Sequence, residues 1–173
     1  METWDLYDVN RLPTGRTIEA DKKIPEDFYR MVVHLCIFNK RGKMLIQLRQ
    51  KTKDRWPMYW DLSVGGRSQK GETSSEAIER ECLEELGYQP KLQDERPVFT
   101  INFDEGFDDI YIVEREIDFL EDLRLQKEEV RAVMWADKDE IYQMINQGKF
   151  IPYHKSFIDL IFDFKDTGKI FRN

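Results

Sequence analysis

The sequence predicts an α/β fold: a mixed β-sheet with helices packed on it, preceded by an N-terminal β-hairpin. Three observations point there. Strand-like runs dominate the middle of the chain, one helical segment is inserted among them, and two helical segments close it. Residues 4–9 and 16–20 flank the turn Asn10-Arg11-Leu12-Pro13-Thr14-Gly15 and read as the hairpin. Residues 32–39 and 43–50 read as two strands around Lys40-Arg41-Gly42, a turn with glycine. Residues 60–64 form a short strand running into Gly65-Gly66. Residues 73–86 read as a helix stopped by Gly87 at the C′ position. Residues 98–103 and 110–117 are strands joined by Asp104-Glu105-Gly106-Phe107-Asp108-Asp109. Residues 130–135 are a further strand, 137–147 a helix closed by Gly148, and 154–164 a last helix. No repeat, low-complexity tract or Pro/Gly/Ser linker divides the chain, so residues 1–173 read as one domain, with residues 1–30 as a hairpin extension.

A chain of 173 residues buries roughly two thirds of its unfolded surface, so it folds without a disulfide or structural metal. Its hydrophobic fraction of 40% excludes a disordered chain. Lys and Arg number 27 against 34 Asp and Glu, a net charge of −7, which argues against binding a nucleic-acid polymer. A small phosphorylated ligand needs only a few local cations. No apolar run approaches the roughly 20 residues of a membrane span, and the start, Met1-Glu2-Thr3-Trp4-Asp5, lacks the basic and apolar regions of a signal peptide. Cys36 and Cys82 both lie in segments that read as buried, which fits a reducing cytosol, so the expected location is the cytoplasm.

The most informative stretch is residues 65–88. On a helical wheel of residues 73–86, Ile78, Cys82, Leu83 and Leu86 fall on one broad side. Glu81, Glu84 and Glu85 fall within about 100° of each other on another. A solvated acidic face is the commonest fate of such glutamates. Two features point further. Carboxylates near a helix C-terminus oppose the macrodipole, so Glu84 and Glu85 are badly placed for stability. They are well placed as hard oxygen ligands for a divalent cation such as Mg²⁺, which prefers carboxylates and water and bridges to phosphate.

The same residues spell a pattern. Gly66 is followed after five residues by Glu72, and after seven more by Arg80-Glu81-Cys82-Leu83-Glu84-Glu85-Leu86-Gly87-Tyr88. Residues 66–88 thus resemble the Nudix box, G-x5-E-x7-R-E-U-x-E-E-x-G-U, where U is bulky and apolar. All seven fixed positions match, at a chance of roughly 10⁻⁹ per starting point. Cys82 and Tyr88 stand at U positions. The paired strands before the box and the run Trp56-Pro57-Met58-Tyr59-Trp60-Asp61 also resemble the family, so the likeness covers most of residues 30–148. The N-terminal hairpin resembles a bacterial branch similar to isopentenyl diphosphate isomerase.

The resemblance implies an α/β/α sandwich that cleaves a diphosphate linked to another moiety, such as a nucleoside, with Mg²⁺ or Mn²⁺. Carried over by position, it implies Glu81, Glu84 and Glu85 as metal ligands, with the Gly66 carbonyl as a further one, and catalysis by the same glutamates with Arg80. Glu72, Gly65 and Gly87 are implied as structural support, and Arg80 as the partner of Glu72 or a catalytic glutamate. Gly65 and Gly66 read as allowing a tight turn and close backbone approach. The general base stays open among the helix glutamates and Glu105, Asp108, Asp109, Glu128 and Glu129.

For the substrate, alternation puts Gln47, Arg49 and Lys51 on one strand face; Arg49 and Gln47 read either as a phosphate clamp or as a solvated edge. His34 reads as a satisfied core histidine. Two alternatives to hydrolysis remain: an isomerase of isopentenyl diphosphate, and a catalytically silent nucleotide-binding sensor. The isomerase pattern has a cysteine where Gly65 stands and a histidine where Arg67 stands. The expected partner is a small phosphorylated substrate, with no membrane, and a homodimer is left open.

Overall fold

The computed structural model describes residues 2–92 and 95–167. The chain forms β1 (Thr3–Tyr7), β2 (Pro13–Glu19), β3 (Arg30–Phe38), β4 (Met44–Arg49), β5 (Trp60–Asp61), β6 (Val64–Arg67), α1 (Ser74–Leu86), β7 (Phe99–Phe103), β8 (Gly106–Glu114), β9 (Val130–Ala136), α2 (Lys138–Asn146) and α3 (Lys155–Thr167).

β3 organises the sheet. It runs parallel to β8 from Arg30 to Phe38 and antiparallel to β6 from Val32 to Leu35, but meets β4 only at Phe38 opposite Met44. β4 pairs instead with β5 and β9. The two central strands therefore fan apart from one corner. The expected single strand over residues 60–64 breaks at Leu62-Ser63 for this reason: the chain crosses there from the β4 side to the β3 side. Buried Ser63 ties the crossing, its hydroxyl accepting from the Ile37 N–H at 2.8 Å and donating to the Leu45 carbonyl.

Alternation along β3 divides the core. Met31, Val33, Leu35 and Ile37 pack with Ala77, Ile78, Cys82 and Leu86 of α1. Cys36 and Phe38 pack with Ile141 of α2 and Ile158, Ile161 and Phe162 of α3. Helices thus cover both faces of a mixed sheet, the α/β/α sandwich. α1 starts at a capping box between Thr73 and Glu76 and ends at Gly87, whose φ of 64° is the left-handed stop. Leu83 departs from the expected apolar side and is 53% exposed. It lies about 60° beyond Leu86 on the wheel, past the edge of the packed stripe. Cys36 and Cys82 are buried free thiols.

The N-terminal hairpin pairs β1 with β2 and has a small core of Trp4, Leu6 and Ile24. Tyr7 of β1 bridges Tyr29 through two backbone hydrogen bonds, and two further attachments fix the hairpin. Lys70 N–H donates to the Thr3 carbonyl at 2.8 Å and Gly71 N–H to Asp5 Oδ2 at 2.7 Å, so β1 holds the loop that leads into α1. At the hairpin turn, Arg11 donates to both oxygens of Asp109, at 3.0 and 2.9 Å, and Asp109 is 1% exposed. Thr100 also donates to Asp109. Removing one partner of such a pair strands a buried charge. Arg11→Ala should lower unfolding stability by about 2 kcal/mol, less than for a wholly buried pair because Arg11 is itself partly exposed. Denaturant unfolding checks this; a change under about 0.5 kcal/mol, the level of an ordinary surface substitution, would show that the hairpin is not anchored there.

Candidate active site

A cleft of about 570 Å³ opens where β3 and β4 separate. Glu81, Glu84 and Glu85 line one wall, Arg49, Lys53 and Arg55 another, and His34 and Asp108 the strand floor.

The acid wall is graded by burial. Glu85 is only 6% exposed and accepts from the Gln47 amide at 2.8 Å. Burial pushes its carboxyl up to about 8, opposed by the Gln47 hydrogen bond and reinforced by Glu81, Glu129 and Asp61. Glu81 is also raised, first by burial, with Arg80 pulling it back. It meets the Arg80 guanidinium at 3.0 Å and accepts from the Arg67 N–H at 3.3 Å. Glu84 is half-exposed and meets the same guanidinium at 3.1 Å. Arg80 is the hub of this wall. It donates to both oxygens of Glu72, at 2.6 and 3.1 Å, and to the Arg67 carbonyl at 2.9 Å. Glu72 in turn accepts from the Gln69 N–H at 2.8 Å, which closes the loop between β6 and α1.

The two glycines sit in β6 and make no tight turn. Gly65 pairs with His34 and Gly66 with Val33. Close approach is what they allow. A Cβ on Gly66 would lie 2.1 Å from Glu81 Cδ, and one on Gly65 would lie 2.7 Å from His34 Cδ2 and Nε2.

Gln47 is buried against Glu85 and Ser63, so its amide is engaged inside the protein. Arg49 donates to Asp61 at 3.2 Å and to the Arg55 carbonyl. Among the loop carboxylates, β8 begins at Gly106, which turns Asp108 and Asp109 into strand residues on opposite faces. Asp108 faces the cleft, Asp109 is the buried partner of Arg11, Glu105 pairs with Arg30, and Glu129, in the cleft, pairs with Lys53. His34 differs from the core histidine that the sequence suggests. It lines the cleft, with Nδ1 2.8 Å from Asp108 Oδ1. Burial pushes its imidazole down, but Asp108, with Asp61 and Glu85, outweighs this and holds it up at about 9. The missed signal is the alternation of β3: His34 shares a face with Arg30 and Val32, opposite Val33 and Leu35.

Among the described residues, no three His, Cys, Asp or Glu side chains come together as a group that could hold a metal ion. Arg80 draws Glu81 and Glu84 together, while Gln47 holds Glu85 apart. This donor set suits a cation that takes one or two carboxylates and keeps its waters, as Mg²⁺ does. Burial raises the proton affinity of both Glu85 and the partly buried Glu81, a cost that a cation in the cleft would offset.

Comparison with known proteins agrees with this geometry. Residues 28–161 match the NUDIX domain. An uncharacterised Nudix hydrolase of Listeria monocytogenes, lmo0368, is 45% identical over 171 residues, covering 98% of this chain and 99% of the relative. Isopentenyl-diphosphate Delta-isomerase of Salmonella typhi is 33% identical over 115 residues, 63% of this chain and 62% of that protein, and marks a related branch. In fold, the chain resembles DR0079 of Deinococcus radiodurans, with a TM-score of 0.72 at 22% identity over 92% of this chain and 97% of that one. With a family match across its sandwich and a full-length hydrolase relative, the chain belongs to the Nudix hydrolase family, whose members are pyrophosphohydrolases.

Proposed function

We propose that this chain is a divalent-metal-dependent hydrolase of a small metabolite in which a diphosphate links a nucleoside to another moiety. The observation that carries this is the graded wall of Glu81, Glu84 and Glu85, braced by Arg80 and Glu72 at a complete Nudix box. Glu81 and Glu84, which Arg80 draws together, would hold the cation directly and Glu85 through its retained waters, with the Gly66 carbonyl as a further ligand. When bound, Mg²⁺ or Mn²⁺ supplies positive charge against the charge growing on the diphosphate and makes water more acidic. The protein residues do the rest. Arg80 fixes the rotamers of Glu81 and Glu84 through Glu72. Gln47 orients Glu85. A glutamate of α1, on the wall that would hold the cation, takes the proton from the attacking water.

The intact acid wall speaks against a silent sensor. Gly65 speaks against an isomerase: the space that a side chain would need there is filled by the His34 ring. A phosphate-release screen over nucleotides, nucleotide sugars, dinucleotides and prenyl diphosphates tests the reading. Turnover should vanish with EDTA and return with Mg²⁺ or Mn²⁺, and the returning metal should raise the melting temperature by mass action. Activity that survives exhaustive chelation, or conversion of isopentenyl diphosphate to its dimethylallyl isomer in proportion to enzyme, would sink it.

A further inference from the structure

The cleft is rich in acids, yet its proposed ligand is an anion, so donors other than the metal have to meet the phosphate oxygens. The strand face expected to supply them is engaged elsewhere: Gln47 donates to Glu85 and Ser63, and Arg49 to Asp61 and Arg55. Beside the buried, unpartnered Nε of Arg30, whose guanidinium is otherwise paired with Glu105, two uncommitted side chains lie on the floor. His34 is locked at Nδ1 by Asp108, and its Nε2 has no hydrogen-bond partner among the described residues. That nitrogen is not sealed in the core, and it stands beside Gly65 where any side chain would cover it. Arg67 makes no ion pair among the described residues; its guanidinium lies over the Trp4 ring at 4.7 Å. Trp4 is itself 2% exposed and donates its indole N–H to Glu2, so the platform is rigid. The register relates the two donors. Gly65 pairs with His34 and Arg67 with Val32, which makes His34 and Arg67 diagonal neighbours on one face, about 7 Å apart at the backbone.

We propose that His34 Nε2 and the Arg67 guanidinium form a phosphate-binding floor across the cleft from the acid wall, with Asp108 positioning the imidazole and Trp4 of the N-terminal hairpin positioning the guanidinium. The floor explains why Gly65 has no side chain and gives the hairpin a part in recognition. It rests on the hydrolase reading for its role in turnover, but not for binding.

The test separates the two. Methylenediphosphonate, a diphosphate mimic that cannot be hydrolysed, is titrated calorimetrically with Mg²⁺ into the wild-type protein and into His34→Ala, His34→Gln and Arg67→Gln. Affinity should fall at least about tenfold in His34→Ala and in Arg67→Gln, the loss of one charge-assisted donor each. His34→Gln should recover most of the loss, because its amide N–H reaches the place of Nε2, whereas a merely structural histidine would show no such ordering. Arg67 is exposed, so its variant stays folded even if His34→Ala does not. Affinity within twofold of wild type in Arg67→Gln, or in a folded His34→Ala, overturns the proposal, as does a wild-type protein that does not bind the probe. A floor that binds while every candidate substrate resists hydrolysis would refute the hydrolase reading alone.

Discussion

Glu85→Gln is expected to cut kcat by at least about a hundredfold, the scale of losing one preorganised electrostatic group, while making the metal-free protein more stable at alkaline pH. Both effects come from one buried oxygen pair. Glu85 lies on the core side of α1, and among the described residues its carboxylate accepts a hydrogen bond only from the Gln47 amide. Its folded carboxyl sits at about 8, against 4.5 for an ordinary glutamate. Between those two values the native state holds a proton that the unfolded chain has released. Stability is therefore full below about 4.5 and is lost as pH rises through 8. His34, raised to about 9 from 6.5, adds a slope of the same sign. Glutamine at position 85 has no charge to bury, so melting temperatures of the metal-free variant between pH 5 and 9 should fall less steeply than those of the wild type, with the His34 slope remaining. Near wild-type turnover would remove Glu85 from the chemistry. An unchanged slope would mean that its carboxyl is ionised in the fold at neutral pH.

Gly66→Ala is expected to cost at least about a hundredfold in kcat/KM, again the loss of one preorganised group, without unfolding the protein. Gly66 is in a regular strand, so its backbone accepts alanine. The added methyl, however, would lie 2.1 Å from Glu81 Cδ and 2.3 Å from its Cγ and Oε1. Glu81 has to swing out and lose the Arg80 contact at 3.0 Å and the Arg67 N–H at 3.3 Å. A double-mutant cycle isolates the cause. If alanine acts through Glu81 alone, Gly66→Ala combined with Glu81→Gln should be no worse than Glu81→Gln. Additive losses would mean that the glycine serves the site in a second way.

The acid wall was legible from helix geometry to an unusual depth. Measured from Ile78 at about 100° per residue, Glu85, Glu81 and Glu84 fall about 20°, 60° and 120° to the polar side. Their exposure rises in that order, from buried Glu85 to half-exposed Glu84. The wheel therefore held the information that Glu85 is a core-side acid, which treating the three as one face conceals. The sandwich and the hairpin were also legible, because alternation and turn residues are local signals. The floor was not. That His34 meets Gly65 and Asp108 depends on the register of β3 against β6 and β8, and register between strands so distant in sequence is set by tertiary packing. The same holds for the break at Ser63, which only the divergence of β3 and β4 requires.

The attachment of β1 to the loop between Gly66 and Thr73 bears on the entropy of ligand capture. Fixing the backbone of one residue costs about 1–2 kcal/mol, and a free loop incurs that cost when the ligand arrives. Here Lys70 and Gly71 are already pinned to Thr3 and Asp5, and Arg67 to Trp4. The matched family domain begins at residue 28, after both of these strands. The hairpin thus acts as an external splint: it orders the loop during folding, before any ligand is present, and leaves the binding free energy of the cleft to the ligand itself.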